Sequence, residues 1–237
     1  SASNNGLANY FVRNFGYRFS NNSLYVGTSN GVYKSTNTGA SWVSVSTGLP
    51  AGTVSGITAF SGSETVWVSV YGQGIYRSTD GDLTWVNRSS DLPLSNGAVQ
   101  VTTFTVPAGV NDPYAVVEGY GMYRGTNGGA NWVAQNNGLP AGKYGFQGGI
   151  AIPGDGYLYA AIDGQGIYRA TTGSNTASNL TWTLWTNSAS LPKFRVRAPS
   201  LVNGTYYVAT GQGVYASSDN GATWTAFKTG LPGGYVS

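Results

Sequence analysis

The chain has 237 residues, 41% hydrophobic and only 9% charged, with 36 glycines and 14% aromatic residues, a balance that suits many short strands and tight turns better than helices. A net charge of +3 is too slight to imply a nucleic-acid partner, and no apolar run reaches the ~18 residues of a membrane-spanning helix. The absence of Cys and His excludes disulfides, thiol nucleophiles, Ser-His pairs and the usual zinc sites, so neither cofactor nor metal is expected.

Low charge with abundant Ser, Thr, Asn, Gly and Tyr is the composition of an exported bacterial surface protein, and an extracellular or cell-surface location is expected. The opening stretch, SASNNGLANY, lacks a basic start and an apolar core, so a secretion signal is either already removed or was never there.

Along the chain one pattern recurs five times, in register on Tyr33, Tyr76, Tyr123, Tyr168 and Tyr215. The first repeat, about 7–47, starts an inner strand with GLANYFV (6–12), continues with the apolar run SLYVGT (23–28), turns at SNG (29–31) and enters the loop STNTGASW (35–42). The second, about 48–90, carries VWVSVY (66–71), GQG (72–74) and STDGDLTW (78–85). The third, about 91–137, carries YAVVE (114–118), GYG (119–121) and GTNGGANW (125–132). The fourth, about 138–189, has YLYAAID (157–163), GQG (164–166) and a longer loop, ATTGSNTASNLTW (170–182). The fifth, about 190–237, reads KFRVRAP (193–199) as its inner strand, with Lys193, Arg195 and Arg197 alternating to one side. It goes on to YYVAT (206–210), GQG (211–213) and SSDNGATW (217–224).

Each Gly-rich step reads as a two-residue hairpin turn, with glycine supplying the positive φ. The strands are apolar on both sides of the pleat, as expected of sheets covered on both faces. Leu-Pro recurs at 49, 92, 139, 191 and 231 and marks the links between repeats. Repeats of this length, each with four strands, predict an all-β fold, a β-propeller of five four-stranded blades closed into a ring as one domain over 1–237. The C-terminal GLPGGYVS (230–237) matches GLPAGTVS (48–55) and covers the same part of the repeat as 6–12, so the overlapping termini are candidates for pairing between chains.

In the loops, the third position is Asn37, Asp80, Asn127, Thr172 or Asp219, and the last is Trp42, Trp85, Trp132, Trp182 or Trp224. An amide or carboxylate there can accept bonds from N–H groups of its own loop, and the indole can close the loop by packing on the sheet. S-x-D-x-G-x-T-W resembles the Asp-box of the BNR, or sialidase-type, repeat, found in blades of sialidases, xyloglucan-degrading enzymes, sortilin-like receptors and photosystem assembly factors. The resemblance covers nearly the whole chain. It implies that these loops join third and fourth strands, that Asp80 and Asp219 are structural, and that ligands bind at the opposite face.

That face carries the Gly-x-Gly hairpins, where Tyr71, Gln73, Tyr120, Gln165 and Gln212 could hydrogen-bond hydroxyls and stack on sugar rings. Arg13, level with Arg195 in the repeat, could join Arg195 and Arg197 in pairing with a carboxylate or sulfate. FRVRAP resembles the F/Y-R-I-P stretch of sialidases, although Val196 and Arg197 replace its Ile-Pro. Common glycosidases need two carboxylates, and Glu118 and Asp163 fall on equivalent positions of adjacent repeats. The expected function is non-enzymatic, lectin-like binding of a glycan or other surface ligand. A glycoside hydrolase, sialidase-like or endo-acting, and a protein-binding assembly or scaffold propeller are the alternatives.

Overall fold

A computed structural model describes residues 4–7, 11–59, 64–107, 112–140, 149–171, 180–185 and 190–227. Thr172 and the C-terminal stretch 230–237 lie outside the described residues. The chain is all-β, with five four-stranded antiparallel sheets in which the strands follow chain order, the blade architecture of a β-propeller. The first sheet holds β1 (Val12–Arg18), β2 (Ser23–Thr28), β3 (Gly31–Ser35) and β4 (Val43–Ser44). The second holds β5 (Val54–Ala59), β6 (Val66–Val70), β7 (Gly74–Ser78) and β8 (Val86–Asn87). The third holds β9 (Val101–Thr105), β10 (Tyr114–Val117), β11 (Gly121–Thr126) and β12 (Asn131–Ala134). The fourth holds β13 (Ile150–Ala151), β14 (Tyr157–Ile162), β15 (Gly166–Thr171) and β16 (Thr183–Leu184). The fifth holds β17 (Ser200–Val202), β18 (Thr205–Thr210), β19 (Gly213–Ser217) and β20 (Thr225–Phe227).

Two compact units divide the chain, one of residues 1–117 and 123–133, the other of 118–122 and 134–237. In the first, β6 has all five side chains buried. Alternation sends Val66, Val68 and Val70 into a cluster with Val54 and Ile57 of β5 and with Tyr25 and Val32 of the first sheet. It sends Trp67 the other way, into a cluster with Val101, Phe104, Ala115 and Trp132. Two apolar faces on one strand are what make its sequence read as a continuous apolar run. The second unit is organised around Trp185, which meets Tyr159, Tyr206 and Trp224 edge-on at centroid distances of 4.7, 5.0 and 5.4 Å.

Two expectations are corrected. The hairpin turns have two residues between β2 and β3 and between β18 and β19, where Thr28 pairs with Gly31 and Thr210 with Gly213. Between β6 and β7 and between β14 and β15 the loops have three, because Val70 pairs with Gly74 and Ile162 with Gly166. Tyr71 and Asp163 are therefore turn residues rather than the last residues of strands.

The second correction concerns 193–199, which is not the fifth sheet's inner strand; that strand is β17. Phe194 and Arg195 form a turn with Arg195 at φ +51, while Val196 is fully buried. Lys193, Arg195 and Arg197 therefore do not line one side of a strand. Val196 goes into the cluster of Tyr206 and Val208, and the carbonyls of Lys193 and Phe194 are taken by the N–H groups of Gly164 and Gly211, which bends the segment.

At Gly31, Gly74 and Gly121 glycine closes the hairpin for a packing reason as well as a dihedral one. At Gly74, φ is +103, and a Cβ would meet Ser89 Oγ, the same oxygen that accepts the Ile75 N–H at 3.1 Å. Ser46 does this for Val32 at 2.8 Å and Asn136 Oδ1 for Met122 at 2.8 Å.

Candidate functional site

Strand alternation in a four-stranded meander puts the hairpin turns at one end of each sheet and the tryptophan loops at the other. In the second sheet's loop, Asp80 Oδ1 accepts the Thr84 N–H at 3.0 Å and the Ser78 hydroxyl at 2.9 Å, and Oδ2 accepts the Thr84 hydroxyl. Asp219 makes the same set with Thr223 and Ser217. Asn37 reproduces it with its amide oxygen, accepting from Ser41 N–H at 2.9 Å and Ser35 Oγ at 2.9 Å. The hydrogen bonds from the Thr84 and Thr223 side chains hold the Asp80 and Asp219 carboxyls at about 2, below the ordinary 3.8. Asn127 takes the left-handed conformation, at φ +52.

The indoles reach across to the preceding repeat. Trp85 Nε1 donates to the Val45 carbonyl at 2.9 Å, Trp132 Nε1 to that of Arg88, and Trp182 Nε1 to that of Gln135 at 2.7 Å. These three acceptors are equivalent: each follows its sheet's outer strand and donates its own N–H to the third strand. Trp224 Nε1 instead bonds within its own loop, to Gly221 at 3.1 Å. Trp42 is buried, and its N–H bonds to the Asn5 carbonyl at 2.9 Å, as Trp182 N–H bonds to Asn137.

One constellation at this end escaped the sequence reading. Asp82 has no exposed side-chain surface and φ +77, at the loop position filled by Gly39, Gly129 and Gly221 in the three other repeats with a loop of the same length. Its Oδ2 accepts the Lys34 ammonium at 2.8 Å and the Tyr25 hydroxyl at 2.8 Å. Its Oδ1 faces Arg18 Nη2 at 3.7 Å, and Arg18 Nη1 bonds Glu64 Oε2 at 3.0 Å. Burial first, and then the bond to Asp82, raise the Tyr25 hydroxyl above its ordinary range. The only advance signal was an acid where its counterparts are glycine. In the fourth and fifth sheets, Asp155 Oδ2 accepts both Tyr159 and Tyr206 hydroxyls at 2.6 Å.

At the hairpin end Tyr71 and Tyr120 are 45% and 42% exposed, and Gln73, Gln165, Gln212 and Glu118 are exposed. Tyr71 donates its hydroxyl to Gln100 Oε1 at 3.3 Å. Asp163, half-buried, accepts the Arg195 N–H on Oδ1 at 2.6 Å, so this carboxylate braces the 193–197 turn. Arg195 and Arg197 are exposed in the second unit, and Arg13 is exposed on β1 of the first. Among the described residues no group of three His, Cys, Asp or Glu side chains stands together as metal ligands.

No protein-family model matches this chain, and no curated protein does. Solved structures do. The GH74 enzyme of Niastella koreensis aligns over 91% of this chain and 31% of its own, with TM-score 0.67 and 21% identity. The extracellular domain of a hybrid two-component system from B. thetaiotaomicron aligns over 95% of this chain and 31% of its own, with TM-score 0.67 and 15% identity. YCF48 bound to D1 peptide aligns over 96% of this chain and 71% of its own, with TM-score 0.66 and 18% identity. The chain thus spans about a third of the first two, and at these identities the likeness shows the fold alone, that of β-propeller blades.

Proposed function

We propose that this chain is a non-enzymatic binding module that takes a glycan at its hairpin end, outside the cell or at its surface, and that the tryptophan loops are Asp-boxes with a purely structural role. The observation that carries this reading is the division of labour between the two ends. Asp80 and Asp219 use both carboxylate oxygens within their own loops. At the other end, Tyr71, Gln73, Tyr120, Gln165 and Gln212 present phenols and amides to solvent at repeating turn positions. Phenol faces stack on sugar rings and amides exchange hydrogen bonds with hydroxyls. That two neighbours in fold are a GH74 enzyme and an extracellular domain is in keeping with the proposal.

Hydrolysis is the weaker reading. A glycosidase built on Glu118 and Asp163 needs both carboxylates turned to substrate, and Asp163 Oδ1 is spent on the Arg195 N–H. Peptide binding is the second reading, favoured by one observation: YCF48, a neighbour of which the alignment covers 71%, is bound to a peptide. A glycan array followed by calorimetry decides. Binding of an oligosaccharide that weakens on Tyr71→Ala or Gln165→Ala supports the proposal, and an array with no hit removes it.

A further inference from the structure

The turn at 193–197 is built in a way that packing does not require. Phe194 is 54% exposed, although burying an aromatic ring is among the largest gains open to a side chain. The ring lies on bare backbone: a Cβ on Gly211 would stand 2.6 Å from Phe194 Cδ1. Arg195 next to it holds φ +51, a conformation costly to residues with a Cβ. Its guanidinium stands 5.3 Å from the centroid of the Phe194 ring.

Main-chain bonds fix the turn between two hairpins. Gly164 N–H donates to Lys193 O at 2.9 Å and Gly211 N–H to Phe194 O at 2.9 Å, while Arg197 N–H bonds Ala209 O at 2.8 Å. Asp163 takes the Arg195 N–H, and the buried Val196 anchors the centre. The result is an exposed ring seated on the Gly211 backbone, beside the Lys193 and Arg195 side chains, neither of which forms an ion pair with a carboxylate among the described residues. Gln165 and Gln212, from the same two hairpins, are exposed.

We infer that the Lys193–Arg197 turn is a binding site for an anionic saccharide, one carrying carboxylate or sulfate groups, with Phe194 as the stacking surface and Lys193 and Arg195 as the charge-pairing groups. This rests on the glycan reading above and narrows it to a ligand class and a place. A sugar ring offers one apolar C–H face ringed by polar edges, which matches a single flat ring bordered by amides and cations. An acidic peptide would call for further apolar contacts for its side chains. Rigidity matters because a surface already fixed loses no conformational freedom when the ligand arrives.

The test is calorimetry on the full chain with oligogalacturonate, a sulfated oligosaccharide, a neutral β-glucan oligosaccharide and polyglutamate. Oligogalacturonate or the sulfated probe binds, with affinity that falls as salt rises. Phe194→Ala weakens it roughly tenfold. Arg195→Gly relieves the left-handed backbone, so it leaves thermal stability equal or higher while weakening the acidic probe roughly tenfold. Acidic probes bound equally by wild type and both variants would overturn the site. Binding of the neutral probe alone overturns this inference and leaves the glycan reading standing, whereas silence from all three saccharides removes both. Polyglutamate bound more tightly than either acidic saccharide, and lost in Phe194→Ala, moves the turn to peptides and overturns the saccharide class.

Discussion

Lys34 on β3 and Asp82 in the second sheet's tryptophan loop are joined by a 2.8 Å ion pair, with the Asp82 carboxylate wholly buried. Asp82 also answers Arg18, which is fully buried and whose Nε and Nη2 make no hydrogen bond among the described residues. Removing the acid leaves Lys34 with no carboxylate among the described residues and Arg18 with Glu64 alone, the two cations 5.5 and 5.3 Å from the centroid of the Tyr25 ring. Asp82→Ala is therefore expected to destabilise by about 3–5 kcal/mol, the scale for orphaning one side of a buried pair. Asp82→Gly recovers about 1 kcal/mol of backbone strain and so costs less. Urea denaturation of both variants measures the difference, and a loss under about 1 kcal/mol for Asp82→Ala contradicts the role assigned to it.

Trp85→Ala and Trp132→Ala should each cost about 3–5 kcal/mol, because a buried indole leaves a cavity and its acceptor on the preceding repeat loses a donor. Trp85→Phe retains most of the volume and isolates the bond to Val45, with an expected cost of about 1–2 kcal/mol beyond the volume lost. Thermal unfolding followed by far-ultraviolet dichroism gives both numbers.

At the acid end, Asp80 and Asp219 titrate at about 2 when folded, against an ordinary 3.8. A depressed carboxyl contributes stability that is present above about 3.8 and lost as the pH falls towards 2. The Asp80→Asn, Asp219→Asn double variant keeps an acceptor oxygen, as Asn37 does, and loses this titration. Its unfolding midpoint should change less between pH 4 and pH 2 than that of the wild type, and identical acid limbs would refute the assignment.

The alkaline limb has the opposite origin. Tyr25 and Tyr159 hold their protons more tightly when folded, because burial and then an accepting carboxylate, Asp82 or Asp155, disfavour the phenolate. The unfolded chain releases them first, so stability is intact below about 10, the ordinary tyrosine value, and falls as pH rises past it. Tyr159→Phe removes one such group and should flatten the decline, read from urea midpoints between pH 9 and 11. A midpoint that rises across this range would refute the prediction.

Most of the framework was legible because it repeats. Four Gly-x-Gly steps, a fifth turn at SNG and five Trp-closed loops mark strand ends, and apolar runs such as VWVSV announce strands covered on both faces. Much of what stayed hidden depends on partners far off in the sequence: Tyr25 lies 57 residues from Asp82 and Lys34 lies 48 from it. Asp82 reads as one more polar loop residue until Tyr25, Lys34 and Arg18 are seen around it. The bend at Phe194 and Arg195 follows from Gly164 and Gly211 capturing two carbonyls, which alternation within KFRVRAP cannot express. Likewise the third residue in two of the hairpins is invisible until the register of β6 with β7 and of β14 with β15 is known.

The reach of Trp85, Trp132 and Trp182 by one repeat, no more and no less, has an arithmetical corollary. Duplicating or excising a whole module adds or subtracts one indole donor and one waiting carbonyl together, so the tally of satisfied groups is conserved. Cutting within a module strands one of the two. Among these three modules, whole steps in number keep donor and carbonyl matched, while half-steps leave one of them without its partner.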